Sequence, residues 1–237
     1  MKRIFLHIGI HKTGSTSIQN FLGANRIALQ KLGIDFYSGA YFPNNHVELH
    51  VATMRAERSS PFKLTKGIQV DEVYRESIQE IVSSYVNNTN FPSLIFSAEG
   101  LSYLRYEDEM IRLKNMIPEG RIQIVIYLRN PSDFLVSYRK ELEKHPAPTD
   151  FDKDSFAYTG ADSWLIDYKA RLILIKKTFG EQNVIVLNYD EELQHAGNII
   201  PSFLRVIGVE SQFSESDWGK LFFNKFPKPA NSKVNLN

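Results

Sequence analysis

Lys12 lies between two glycines, Gly9 and Gly14, and is followed by a run of hydroxyl side chains, Thr13, Ser15, Thr16 and Ser17. Residues of these types at this spacing can hold an oxyanion. From residue 4 to 19 the chain reads Ile-Phe-Leu-His-Ile-Gly-Ile-His-Lys-Thr-Gly-Ser-Thr-Ser-Ile-Gln. The apolar run Ile4-Phe5-Leu6 ends at Gly9, and an amphipathic helix pattern opens near Thr16. Strand, glycine-containing loop and helix start, in that order, leave backbone N–H groups unpaired at the positive end of a helix, where a phosphate or sulfate is stabilised. A nucleotide triphosphate loop follows G-x-x-x-x-G-K-[ST], with lysine directly after the second glycine. Here the glycine spacing is kept, but Ser15 follows Gly14 and the lysine stands two residues before it. The cradle is retained and the cation has moved, which points to an anion other than a magnesium-bound β/γ-phosphate pair.

A second anion site is expected at Tyr127-Leu-Arg129-Asn-Pro-Ser-Asp133-Phe-Leu-Val-Ser137-Tyr138. Arg129 ends an apolar run, at the edge where ligands bind in open α/β sheets. Asn130 and Pro131 suit the cap and first position of a helix. Ser137, seven residues after the cap, then lies on the helix face directed back to that edge. A guanidinium and a hydroxyl converging there suit a phosphate.

The elements that must position these groups follow from periodicity. Strands are expected at Ile4 to Ile8, Ile34 to Tyr37, Ser93 to Glu99, Gln123 to Leu128 and Val184 to Leu187. The fourth is a near-continuous β-branched run of the kind buried on both faces. Helical spacing runs from Thr16 to Leu32, with Gly33 as the C′ residue, and from Val70 to Val86. Further helices are expected from the mid-100s to Met116, from Pro131, from Asp162 to Phe179 and from Ile199 to Ile207; residues 46 to 58 have helical potential, broken at Ser59-Ser60-Pro61. Strands alternating with helices imply βαβ units, hence a single-domain α/β three-layer sandwich around a mostly parallel sheet of about five strands.

Bulk composition excludes several classes. The 237 residues suffice for one substantial domain, and 43% hydrophobic with 12% aromatic content supports a packed core rather than disorder. A formal net charge of +1 gives no global case for nucleic acid. The chain has no cysteine, so disulfides and thiolate metal sites are excluded. His7 breaks the N-terminal apolar run too early for a signal peptide, and no run approaches a membrane span. The expectation is a cytoplasmic protein.

The segment His11-Lys-Thr-Gly-Ser-Thr-Ser17 resembles the 5′-phosphosulfate loop of sulfotransferases that use 3′-phosphoadenosine 5′-phosphosulfate (PAPS). The segment Arg129-Asn-Pro-x-Asp-x-x-x-Ser-Tyr138 resembles the 3′-phosphate motif of the same family, in the expected order. The resemblance implies a P-loop NTPase-like nucleotide-binding frame from residue 4 to about 190. It also implies in-line sulfuryl transfer to an acceptor hydroxyl or amine without a metal, with adenosine 3′,5′-bisphosphate as product. Lys12 and the N–H groups of residues 13 to 16 would then stabilise charge on the leaving oxygen. His11, Gly14 and the hydroxyls of Thr13, Ser15, Thr16 and Ser17 would contact the donor, and Arg129 with Ser137 would hold its 3′-phosphate. A general base is needed for the acceptor proton. Glu99, at a strand end where desolvation would raise its pKa, is the first candidate, and His46, which titrates near neutrality, is the second. Segments 38–70 and 145–160 would shape the acceptor site, with carbohydrate as the expected acceptor and a lipid, phenol or peptide as the alternatives. Tyr37, Tyr41 and Phe42 offer stacking surfaces or plain packing. Lys225 or Lys228, in a C-terminal stretch with Lys220 and Lys233 and no acid, would approach the 3′-phosphate or simply be solvated.

Two rival classes remain open at this point. In a P-loop kinase or NTPase, Phe96-Ser-Ala-Glu99 would supply a Walker-B-like acid, although the displaced lysine counts against it. A noncatalytic nucleotide-binding protein would keep the cradle without the chemistry. His46 and His50 are four apart, but no third ligand accompanies them and no metal site is expected. His7 and His145 read as structural or surface residues.

Overall fold

The computed structural model describes residues 1–118, 120–143 and 152–218. His145, Pro146, Pro148, Lys220, Lys225, Lys228 and Lys233 lie outside the described residues. Five strands, β1 (Lys2–Ile8), β2 (Ile34–Phe36), β3 (Ser93–Ser97), β4 (Gly120–Leu128) and β5 (Val184–Asn188), form one sheet in the order β2-β3-β1-β4-β5, and every pairing is parallel. The first strand is therefore the central one, and the loops after all five emerge along a single edge.

Alternation along the strands builds two cores. Ile4, Leu6 and Ile8 of β1, with Leu94, Phe96, Ile124 and Ile126, face one side. There they pack against α3 (Val47–Thr53), α5 (Glu72–Asn88), α6 (Glu107–Met116), α7 (Pro131–Leu142) and α8 (Tyr168–Phe179). Phe5, Ile95, Val125 and Tyr127 face the other side, against α1 (Ser15–Ala24), α2 (Arg26–Lys31), α9 (Tyr189–Ala196), α10 (Ile200–Ile207) and α11 (Glu215–Trp218). A short α4 (Pro61–Lys66) completes the set. The expected α/β sandwich is thus present, with both sheet faces covered as an all-parallel sheet requires.

Departures from the sequence reading have local causes. The helix expected over residues 16–32 divides at Asn25, whose side-chain amide donates to the Phe21 carbonyl (3.0 Å) and competes with the helical ladder. Pro61 starts a helix rather than only breaking one, because the Ser60 hydroxyl accepts from the Lys63 amide. The helix expected from Asp162 begins at Tyr168, capped by Asp167 accepting from Ala170 N–H (3.0 Å). The third strand stops at Ser97, and Glu99 opens a 3₁₀ turn, Glu99–Tyr103. Helix α9 was not expected, although Asn188 followed by Asp190, Glu191 and Glu192 is a legible start signal.

Three histidines are buried in this frame. The His7 Nδ1 lies 2.8 Å from Ser97 Oγ, with its ring edge-on to Tyr127 and Phe203. Burial lowers its pKa to about 4, partly opposed by the Glu99 charge. Burial likewise lowers His46 and His50 to about 3. In the unfolded chain each returns to its ordinary 6.5, so between that pH and the folded values the unfolded state binds more protons and stability rises with pH. Urea unfolding is therefore expected to show stability falling on acidification through this window, by roughly 1.4 kcal/mol per pH unit per histidine. His7→Gln should reduce the slope, and an unchanged slope would contradict the assignment.

Candidate active site

The loop after β1 folds back on itself before α1 begins. Lys12 is the one non-glycine residue with positive φ (64°) among the described residues, and Gly14 (φ 75°) caps α1 without a side-chain bond. Thr13 is fully buried, and both its hydroxyl (2.6 Å) and its amide (3.3 Å) donate to the Ile10 carbonyl. This corrects the expectation for Thr13: its donors are turned inward to hold the loop and do not face a ligand. The amides of Gly14, Ser15 and Thr16 have no acceptor among the described residues, as a helix start requires. Ser15 Oγ is buried without a partner among the described residues, and a Cβ on Gly9 would come within 2.1 Å of it. Glycine at position 9 is what lets this hydroxyl sit under the cradle. His11, Lys12, Gly14, Ser15, Thr16, Ser17, Glu99 and Glu141 line a cavity of about 240 Å³.

Two carboxylates face the two side chains at the loop tip. Glu99 Oε1 lies 2.9 Å from His11 Nδ1, and Glu141 Oε2 lies 3.3 Å from Lys12 Nζ. Burial acts to raise the Glu99 pKa and is the largest single influence. The His11 ring, the Lys12 charge and the Lys12 amide together outweigh it, so Glu99 is held below the usual glutamate range. The expected upward shift is thus reversed, because the loop supplies more stabilisation of the anion than burial removes.

Arg129, at the end of β4, reaches the same loop. Its Nη1 donates to the Lys12 carbonyl (3.2 Å), and its Nε lies 3.8 Å from Asp190 Oδ1. Asp190 is itself fixed by the Asn130 amide (2.8 Å), and the guanidinium lies over the Tyr189 ring (5.4 Å). Beside it a groove of about 760 Å³ is lined by Arg129, Asn130, Tyr168, Asn188, Asp190 and Gln194, among others. The two expected anion sites are therefore in contact through Lys12. Ser137 is half-buried on α7 one turn before Glu141 and lines neither space.

His46 departs most from its expectation. It has no exposed surface, its ring lies among Phe36, Tyr37 and Phe96, and its Nδ1 accepts the Ser97 amide (2.9 Å). With its pKa lowered to about 3 by burial, it is a neutral core residue and does not titrate near neutrality. His50 bonds separately to Ser60 Oγ (2.9 Å). Tyr37 is core, whereas Tyr41 and Phe42 are half-exposed and edge-on to Phe62. Sequence reasoning missed Glu141 and Asp190. Glu141 could have been found from its spacing, since it follows Phe134, Ser137 and Tyr138 on one helical stripe; Asp190 carried no signal beyond the unread α9 start.

Comparison with known proteins places the fold. No family model matches the chain. An uncharacterised protein of Archaeoglobus fulgidus is 29% identical over 117 residues, which cover 49% of this chain and 30% of the relative; the chain thus spans about a third of that protein's length. A sulfotransferase from Alicyclobacillus acidocaldarius superposes with a TM-score of 0.54 at 17% identity, over 90% of this chain and 83% of the other. The fold is of the sulfotransferase type. Mouse sulfotransferase SULT7A1, solved with PAP, gives a TM-score of 0.44 at 17% identity over 93% of this chain and 62% of its own. No helix among the described residues is long and apolar enough to cross a membrane.

The loop geometry generates a direct test. A Cβ at Gly14 would lie 2.8 Å from Ile199 Cδ1 in a backbone conformation that side chains rarely adopt. Gly14→Ala should cost about 1–3 kcal/mol of stability, read by chemical denaturation. A neutral result would show that the loop relaxes freely.

Proposed function

We propose that this protein is one PAPS-dependent sulfotransferase domain that moves a sulfuryl group to an acceptor hydroxyl, with carbohydrate as the acceptor class. The observation that carries the reading is the junction at Lys12: its side chain enters the cavity at the start of α1 while its carbonyl is held by Arg129. One residue thereby joins a site for one phosphate to a site for another. The buried, unpartnered Ser15 Oγ and the unfilled amides of residues 14 to 16 fit the 5′-phosphosulfate end. Arg129 would take the 3′-phosphate without Ser137, which lines neither space, and the groove beside Arg129 has room for the nucleoside.

When bound, the donor supplies an activated sulfuryl group. Glu99, held ionised by His11 and Lys12, accepts the proton of the acceptor oxygen as that oxygen bonds to sulfur. The Lys12 ammonium and the α1 amides neutralise the charge that develops on the departing bridging oxygen. Segment 38–70 and the described residues 152–160 form the acceptor side, where Tyr41, Phe42 and Phe62 present aromatic surface.

Calorimetric titration tests this reading: the protein should bind adenosine 3′,5′-bisphosphate without magnesium and not bind ATP. The reverse preference would identify a kinase or NTPase, and binding without sulfuryl transfer would identify a noncatalytic protein. Lys12→Ala should lower kcat at least about 100-fold, and an unchanged kcat would remove its role. Arg129→Ala should weaken bisphosphate binding about 10- to 100-fold, the range for a charge-assisted hydrogen bond. Glu99→Gln should lower kcat about 100-fold or more with donor affinity retained; equal activity would exclude Glu99 as the base.

A further inference from the structure

His11 is bound more tightly into the structure than a donor contact needs to be. Its ring lies 4.6 Å from Tyr103 and 5.3 Å from Tyr138, centroid to centroid, and the two tyrosine hydroxyls meet at 3.1 Å. Tyr138 is anchored in turn by donating to the Phe156 carbonyl (2.9 Å). Tyr103 closes the 3₁₀ turn that Glu99 opens, and Tyr138 lies on α7 one turn before Glu141. The imidazole therefore ties three elements together: the loop after β1, the turn after β3, and α7.

The two ring nitrogens have different surroundings. Nδ1 points at Glu99 Oε1 (2.9 Å), whereas Nε2 is sealed from solvent and has no partner among the described residues. An imidazole nitrogen that faces a carboxylate carries a proton and donates it, whatever the charge of the ring. With Nε2 enclosed, His11 is not arranged to pass a proton onward, and Glu99, one quarter exposed and lining the cavity, is. We propose that His11 is a positioning residue: by donating from Nδ1 while locked on the Tyr103–Tyr138 pair, it aims the Glu99 carboxylate into the cavity. This rests on the reading of Glu99 as the base and replaces the expectation that His11 contacts the donor.

The other groups facing Glu99 set what remains when His11 is removed. Lys12 contributes its charge and its amide, His7 of β1 lies close enough to feel the Glu99 charge, and Tyr103, Tyr138 and Glu141 face it from the turn and from α7. His50 lies behind His11 and is neutral by burial. Of these, His11 and Lys12 are the groups that favour the anion, so losing the His11 donor should let burial raise the Glu99 pKa.

The test follows Glu99 itself, by carbon NMR of the full chain labelled in glutamate carboxyls, with its signal assigned by its loss in Glu99→Gln. His11→Phe keeps a stacking ring and removes the donor; His11→Asn places an amide donor near Nδ1. In His11→Phe the Glu99 titration should move up by about one pH unit or more, and the acid limb of the kcat profile should move with it. Affinity for adenosine 3′,5′-bisphosphate should stay within about threefold. His11→Asn should restore at least half of the shift; should His11→Phe not fold, a Glu99 titration displaced by about one pH unit or more in His11→Asn would overturn the proposal on its own. An unmoved Glu99 titration in folded His11→Phe, or lost bisphosphate affinity with an unchanged titration, would equally overturn it. A Glu99 shift as expected, in a protein that transfers no sulfuryl group, would sink the sulfotransferase reading and leave the His11 clamp standing.

Discussion

The hydrogen bond from Arg129 Nη1 to the Lys12 carbonyl is the interaction on which the rest of the site depends. Lys12 is in the left-handed region, which disfavours a side-chain-bearing residue by roughly 1–2 kcal/mol. That conformation turns its carbonyl toward β4 while its ammonium enters the cavity. The loop cannot relax to a common conformation without withdrawing the carbonyl from the guanidinium. Backbone strain, usually a local matter, here fixes the relation between two strands' worth of cationic groups.

Each cation is matched by an acid. Lys12 pairs with Glu141, and Arg129 lies near Asp190, which the Asn130 amide steadies. An unpaired charge in a partly buried position would be expensive, and these carboxylates lower that cost. They also set the competition any incoming anion must win, since it must interact with a cation better than the neighbouring carboxylate does. The site is therefore balanced rather than simply positive, in keeping with a chain whose net charge is only +1.

Much of this was legible in the sequence because it is local. The strand–loop–helix order around Gly9 and Gly14 fixes a cradle whatever the rest of the chain does, and Asn130-Pro131 fixes a helix start. The parallel sheet was legible from alternation of strand and helix. What escaped was long-range or energetic. His46 could not be placed in the core from its loop-like neighbours, because Phe36, Tyr37 and Phe96 surround it only after β2 and β3 pair. Thr13 looked like a ligand donor because its type is right; the Ile10 carbonyl that takes its hydroxyl is a matter of loop shape. For Glu99 the sequence suggested desolvation but not the neighbours that outweigh it.

The strand order has one more consequence. Glu99, the cradle, Arg129 and Asp190 arise just beyond β3, β1, β4 and β5, four consecutive positions in the sheet. Neighbouring parallel strands stand about 4.8 Å apart, so the outermost of these groups are separated by about three such steps, on the order of 15 Å. The sheet thus acts as a ruler whose graduations are set by backbone hydrogen bonding. Side-chain changes in the loops can retune the chemistry at each mark, but the spacing of the marks is written into the strand pitch itself.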